Sequence, residues 1–457
     1  MNPTLIDTHC HLEMDAFDND RDKTIERARE AGVEYIVTIG SDRDSNLQGL
    51  GLCSKYPEIY AAVGIHPHDA KTLTEDLYSE LKNWVKKPKV IAIGEIGLDY
   101  HYMHSPKEIQ IDVFRKQIRL AKDSGLPVIV HSREAKDDTL QILQEEAPSI
   151  SGVLHCFSGD MDMAEKALKT GFFLSIAGPV TFKNAKNLRQ IARFIPDERL
   201  LIETDSPYLS PVPMRGKRNE PSFLKYTARA LAEMRGVGIS DLARITTLNA
   251  MNLFNIGKIP DKGEIAYKIR DSLYLNITNR CTNRCGFCVK FHTSYIKGHN
   301  LRLHKEPSSD EIINAIGNPG DYKEVVFCGI GEPLMRLDTV KEVSTWIKQK
   351  GGKVRINTNG HGNLISKRNI LPELRGIVDC ISISLDADND LKYEKICRPV
   401  FKNSFQSVIS FIKESKKYIS EVKITVVDIP EIDLNKCKAI AEELGVELRV
   451  REFNVVG

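Results

Sequence analysis

No stretch of this 457-residue chain approaches the ~20 consecutive apolar residues that a helix needs to span a bilayer. The opening Met1-Asn-Pro-Thr-Leu-Ile-Asp7 lacks a basic segment followed by an apolar run, so no export signal is expected. Excess charge is lacking too: 64 Lys and Arg against 62 Asp and Glu leave a formal net charge of +2. Global attraction to nucleic acid or to an anionic membrane is thereby excluded, and any polyanion contact must come from a local patch. Solenoid periods and low-complexity tracts are absent. The ten cysteines are not spaced as a secreted disulfide framework; clustered thiols without an export signal point to the reducing cytosol and to metal. A hydrophobic content of 41% suffices for folded cores, and the length suggests two or three domains. The expectation is a soluble cytoplasmic protein with no membrane association.

Residues 1–256 repeat one unit, a short apolar strand followed by an amphipathic helix. Strands are expected at 5–11, 34–40, 59–66, 90–98, 127–131, 152–156, 172–177 and 200–205, with helical patterns between them, as at 23–31, 112–122, 163–169 and 187–194. Eight such units in this length fit a (β/α)8 TIM barrel. A Gly/Lys/Pro/Asp-rich segment, taken as a linker over 257–269, separates a second alternation. Its strands are expected at 273–277, 324–328, 353–358, 379–385, 421–427 and 447–450, with helices near 309–316, 339–349, 404–415 and 434–444. Six units fit an open (β/α)6 partial barrel over 270–457. The fold class is thus α/β throughout.

Polar and metal-type residues recur where the first eight strands end, the face on which such barrels carry chemistry. Asp7-Thr-His9-Cys-His11 puts both imidazoles on one side of a strand, since alternate residues share a face. Glu95 stands between two glycines at the end of an apolar run. His66, His131, His155 and Asp205 each follow an apolar strand. Such a set of nitrogen and oxygen donors suits two divalent cations of borderline or hard type. Arg215, Lys217 and Arg218 form a local cationic loop suited to a nucleic-acid backbone.

These segments, with Gly64-Ile-His-Pro-His68, Gly94-Glu-Ile-Gly-Leu-Asp99, Pro127-Val-Ile-Val-His-Ser-Arg133, His155-Cys-Phe-Ser-Gly159, Glu203-Thr-Asp-Ser-Pro-Tyr208 and Arg215-Gly-Lys-Arg-Asn-Glu-Pro221, resemble the TatD family of metal-dependent deoxyribonucleases. The resemblance spans nearly the whole of residues 1–256 in family order. It implies metal ligands at His9, His11, Glu95 (bridging), His131, His155 and Asp205, for two cations such as Mg, Mn or Zn. It further implies Asp205 as the residue orienting or deprotonating the attacking water, and His66 at the scissile phosphate or leaving group. His68 and Glu203 lie near the motif without an assigned role.

In the second half, Cys281, Cys285 and Cys288 share one short loop, Cys-Thr-Asn-Arg-Cys-Gly-Phe-Cys, directly after an apolar strand. Three thiolates leave one position of a metal centre open. An iron–sulfur cluster, a Cys3His zinc site completed by His292, and three unrelated thiols are the readings the spacing allows. The motif, with an aromatic residue before its last cysteine, resembles the cluster loop of the radical S-adenosylmethionine (SAM) superfamily. That resemblance covers about residues 270–457. It implies a [4Fe–4S] cluster on the three cysteines, with SAM chelating the fourth iron and being cleaved reductively to methionine and a 5′-deoxyadenosyl radical. Glu324-Val-Val-Phe-Cys-Gly-Ile-Gly-Glu-Pro333 is similar to the family segment that receives the methionine amino group, which implies Gly329, Gly331, Glu332 and Pro333, the bare glycines admitting the ligand. Asn359, Ser384 and Asp386 take the positions of further SAM contacts. Cys328, Cys380, Cys397 and Cys437 read as buried apolar residues.

The chain as a whole resembles a TatD-linked radical SAM protein. Its expected activities are a two-metal (deoxy)ribonuclease acting on DNA or RNA and a radical SAM reaction fed by an electron donor. Two other readings keep the same residues: a hydrolase of another ester such as aminoacyl-tRNA, and a barrel that only binds nucleic acid for the radical SAM half.

Overall fold

Apolar runs buried on both faces favour parallel strands covered by helices, and the chain alternates accordingly. The structure is a computed structural model that describes residues 3–148, 150–259, 261–291 and 293–452. It separates into two units, Met1–Ile259 and Pro260–Gly457.

The first unit carries β1 (Leu5–Cys10), β2 (Val33–Ile39), β3 (Ile59–Val63), β4 (Val90–Asp99), β5 (Val128–Arg133), β6 (Gly152–Leu154), β7 (Phe173–Ile176) and β8 (Leu200–Ile202), hydrogen-bonded in chain order. All eight expected strands are present. Just beyond β1 and β8 the sheet closes on itself. Asp205 N–H donates to the His9 carbonyl at 2.9 Å and His11 N–H to the Ser206 carbonyl at 2.8 Å. The Asp7 carboxylate locks this seam by accepting from the Thr204 backbone and hydroxyl at 2.9 and 2.6 Å. One apolar cluster joins Ile6, Val37, Ala62, Ala92, Ile129, Val153 and Leu201 to Met251 and Phe254 of the helix Ile239–Phe254. A larger cluster packs the strands against the surrounding helices. The barrel is therefore filled with side chains, and its polar groups gather at the C-terminal ends of the strands.

The second unit has β9 (Ala266–Ile269), β10 (Ser272–Leu275), a short hairpin of β11 (Tyr295–Ile296) and β12 (His299–Asn300), then β13 (Val325–Phe327), β14 (Val354–Thr358), β15 (Cys380–Ser384), β16 (Glu421–Asp428) and β17 (Glu447–Glu452). β10 and β13 to β17 are the six expected strands, parallel and in chain order. β9 adds an antiparallel strand to the outer edge of β10. Residues 266–269, read from sequence as linker, therefore belong to the sheet. The four-residue strand gives no period of its own, and what fixes it is Tyr267, buried against Leu301 and Ile330. No described helix is long and apolar enough to cross a membrane.

Candidate metal centre and cysteine loop

The barrel seam places Asp205 beside β1, and the glycines flanking Glu95 bring β4 against β5. A Cβ on Gly97, which has φ +141°, would lie 2.0 Å from the His131 carbonyl, and one on Gly94 would lie 2.6 Å from the Ile129 side chain. Only glycine lets the two backbones meet there, with Glu95 facing His131.

The two oxygens of the Glu95 carboxylate then face different histidines of one contiguous cluster. Glu95 Oε2 lies 3.3 Å from His9 Nε2 and 3.8 Å from His11 Nε2. Asp205 Oδ1 completes that group at 3.7 and 3.6 Å from the same two nitrogens. Its Oε1 lies 2.7 Å from His155 Nε2, 2.9 Å from His131 Nδ1 and 3.4 Å from His66 Nε2. The structure thus gathers all six residues expected as ligands, with His66 beside the second group. Ligand atoms converge within 4.8 Å in three overlapping sets, His9 with His11 and Asp205, His66 with Glu95 and His131, and His9 with His155 and Glu203. The His9 and His155 rings stack at 3.9 Å where the groups adjoin.

Three carboxylates without a role in the sequence reading support the imidazoles from behind. Glu13 Oε1 lies 3.3 Å from His11 Nδ1 while its other oxygen accepts from the Thr38 hydroxyl at 2.6 Å. Asp99 Oδ2 lies 3.1 Å from His131 Nε2 and 3.0 Å from His68 Nε2. Glu203 Oε1 lies 3.4 Å from His155 Nδ1 and accepts from the Cys156 N–H at 2.6 Å. Carboxylates on the far ring nitrogen fix the orientation and tautomer of a ligating histidine. Sequence spacing carries a faint trace of them, since Glu13 and Glu203 stand two residues from His11 and Asp205.

Electrostatics favour cations. Burial alone would raise Glu95, yet His155, His66 and His9 hold it well below the usual carboxylate range. Burial likewise opposes ionisation of Asp205, and His11 and His9 hold it down. Burial disfavours protonated His11 and His155, but the carboxylates around them raise both well above the usual histidine range. His66 is pushed down to about 4 by burial. Buried anions ringed by imidazoles fit two divalent cations held by nitrogen and oxygen donors.

Of the cationic loop, Arg215 lies over the Phe182 ring at 3.8 Å and Lys217 is exposed. Arg218 corrects the sequence reading. It is bound to Asp20 at 2.7 and 2.9 Å, donates to the Ala16 carbonyl and covers Phe17, which makes it a strut of the barrel and not a free phosphate contact.

In the second unit Cys281, Cys285 and Cys288 are half-buried free thiols on the loop after β10. The helix Asp390–Cys397 pins that loop: Arg284 N–H donates to the Cys397 carbonyl at 2.8 Å and Gly286 N–H to the Ile396 carbonyl at 3.1 Å. Burial pushes the Cys281 thiol up to about 12. Three half-buried free thiols on one pinned loop suit a thiolate-held cluster. His292, the fourth ligand of the zinc alternative, lies outside the described residues.

Glu332 is buried and accepts from the Asn359 N–H at 2.7 Å, the Thr358 hydroxyl at 2.9 Å and the Leu334 N–H at 3.0 Å, bridging β14 to the turn that Pro333 opens. Asn359 also reaches Thr282, beside Cys281, at 2.8 Å. The glycines need a different explanation from the expected one. A Cβ on Gly331 would fall 2.2 Å from the Thr278 carbonyl, and one on Gly329 2.2 Å from Asn276 Oδ1, so neighbouring chain fills the space. Ser384 pairs with Thr425 at 3.5 Å, and buried Asp386 keeps Oδ1 without a hydrogen-bond partner among the described residues.

A closed α/β barrel with a histidine–carboxylate centre at its strand ends is the framework of a metal-dependent hydrolase. The family model described as TatD related DNase matches residues 6–255, and the chain belongs to that family. The Radical SAM superfamily model matches residues 275–444, so the second unit is a radical SAM domain. Bacillus subtilis YabD, described as an uncharacterized metal-dependent hydrolase, is 48% identical over 253 residues, which span 55% of this chain and 99% of that protein. The 3'-5' ssDNA/RNA exonuclease TatD of Erwinia tasmaniensis is 37% identical over 259 residues, covering 55% of this chain and 100% of its own. The crystal structure of the Escherichia coli TatD homologue YJJV superposes with a TM-score of 0.53 at 31% identity, covering 55% of this chain and 98% of that one.

Proposed function

We propose that the first unit is a two-metal phosphodiesterase acting on DNA or RNA, and that the second binds a [4Fe–4S] cluster and cleaves SAM reductively. The observation that carries the first half is Glu95, one carboxylate whose two oxygens face different histidines of a contiguous cluster. His9, His11 and Asp205 would hold one cation and His131 and His155 the other, with Glu95 shared. Cations there supply an activated water and polarisation of the phosphoryl oxygen. Asp205 orients that water and accepts its proton. His66, kept neutral by burial, donates a hydrogen bond to the phosphate or the leaving oxygen. Glu13, Asp99 and Glu203 keep the imidazoles aimed. Arg215 and Lys217 hold the strand's backbone.

In the second unit Cys281, Cys285 and Cys288 would hold the cluster, whose reduction supplies the electron for SAM cleavage. Glu332 and Pro333 would face the methionine end on a turn that Gly329 and Gly331 let pack against Asn276 and Thr278, and Asn359, Ser384 and Asp386 offer the polar contacts. An electron donor for the cluster is the implied partner, and the reducing cytosol is the compartment that clustered thiols favour. Purified protein loaded with Mg2+, Mn2+ or Zn2+ and given end-labelled single strands should shorten them, and EDTA should stop it. Inertness toward both DNA and RNA at full metal loading would overturn the nuclease half. Reduced, reconstituted protein should release 5′-deoxyadenosine from SAM, and failure to do so would overturn the other.

A further inference from the structure

We propose that Tyr102, His104 and Arg133 form a stacking platform for an unpaired nucleobase beside the barrel's metal-ligand cluster. This rests on the nuclease reading and adds to it a surface that positions the strand. Tyr102 and Met103 are 51% and 46% exposed at the mouth of the barrel, where Tyr208, beside His11, is the other large exposed ring among the described strand-end residues. The rings of Tyr102 and His104 are parallel within 4°, with centroids 5.7 Å apart. The Arg133 guanidinium lies 4.8 Å from the Tyr102 centroid. Arginine and aromatic rings together are the chemistry that stacks bases without regard to sequence.

The platform is rigid although exposed. Asp99 Oδ1 accepts from the N–H groups of His101 and Tyr102, both at 2.9 Å. Lys71 Nζ donates to the His104 carbonyl at 3.0 Å, and the Ser105 hydroxyl donates to the His68 carbonyl at 2.7 Å. His68 meets Tyr102 and His104 edge-on, at 5.5 and 4.7 Å, and supports both. His101, paired with Glu134 at 2.7 Å, meets Tyr102 edge-on at 4.7 Å. A preset surface loses little freedom on binding.

Its place follows from Asp99, whose Oδ2 contacts both His68 and the candidate ligand His131. From His131 to His68 the ring centroids are 6.4 Å apart, and from His68 to Tyr102 5.5 Å. A base stacked on Tyr102 therefore belongs to a nucleotide adjoining the phosphate at the metal centre. A base inside a duplex has both faces stacked on its neighbours and has none free for this surface. Arg133 and Lys71 add positive charge beside it, which favours a polyanion over a neutral ester.

The test uses the full chain and a single-stranded oligonucleotide in which 2-aminopurine is scanned through each position. Without metal, its fluorescence should be quenched at one register near the strand end. Tyr102→Phe should keep that quenching and Tyr102→Ala should abolish it. With metal, Tyr102→Ala should raise KM roughly 10-fold, within the range of a lost base stack, with kcat nearly unchanged. The rise should vanish on a strand that is abasic at the quenched register. An unchanged KM for Tyr102→Ala on the intact strand, or an equal rise on the abasic one, overturns the platform alone. Wild-type protein that cleaves no strand at all overturns the nuclease reading and the platform with it.

Discussion

Acid should work against the radical SAM unit at one residue, His361. It is fully buried directly behind the cysteine loop. Its Nδ1 is 2.9 Å from the Thr282 hydroxyl and its Nε2 3.2 Å from the Tyr393 hydroxyl. Asn283 donates to the same Tyr393 oxygen at 3.1 Å, so two residues of the Cys281–Cys288 loop hang on this network. Among the described residues no carboxylate pairs with the ring, and burial pushes it down to about 4 from 6.5. The unfolded chain then binds a proton that the folded one refuses. The His361 contribution falls as pH drops below about 6.5 and is lost in full only near the folded value. Buried Glu332, pushed up to about 7, contributes in the opposite sense, so the effect is read as a difference between variants.

The shift of roughly 2.5 units corresponds to about 3 kcal/mol in total, of which about 2 kcal/mol is lost between pH 7.5 and 5. The chain has two tryptophans, and Trp346 lies in the second unit. In a Trp84→Phe background, urea unfolding followed by Trp346 fluorescence reports that unit. His361→Gln at the same iron content should be less stable at pH 7.5 yet lose about 2 kcal/mol less on acidification. Parallel pH profiles for the two proteins would refute the reasoning.

Glu95→Ala or Asp205→Ala should lower divalent-dependent hydrolysis by roughly three orders of magnitude with circular dichroism unchanged, and near-normal turnover in both would sink the assignment. Anaerobically reconstituted protein should hold about four iron and four sulfide; serine at Cys281, Cys285 or Cys288 should remove them, serine at the core residue Cys437 should not, and tightly bound zinc without iron uptake would favour the zinc reading instead. A fragment ending near residue 258 should stay soluble and keep metal-dependent hydrolysis, and one starting near 262 should bind the cluster and cleave SAM; an unfolded fragment of either kind would show that the units need each other.

The strand ends were legible because each ligand candidate is a polar residue directly after an apolar run, and a parallel barrel leaves few other uses for such a residue. The pairing of the two Glu95 oxygens with different histidines was not legible. It depends on β4 and β5 meeting through Gly94 and Gly97, and on the Asp205–His9 seam between residues nearly 200 apart. The same distance hid the partner of Arg218: nothing local in a basic loop reveals that Asp20 waits across the barrel mouth. β9 escaped because four residues carry no period.

The supporting carboxylates show where sequence pattern stops informing. Glu13, Asp99 and Glu203 are acidic residues among the chain's 62, and their spacing from a histidine is shared by many surface carboxylates. Burial separates them, since Asp99 and Glu203 are each only 1% exposed and Glu13 2%. A carboxylate taken from water to that depth needs a cation or several donors. Asp99 has two backbone N–H groups and two imidazoles. Glu203 has one N–H at 2.6 Å and the His155 ring, with its second oxygen unpartnered among the described residues. Glu13 is placed alike, with the Thr38 hydroxyl and the His11 ring, so these two carboxylates lean on the imidazoles they orient while Asp99 is satisfied by four donors.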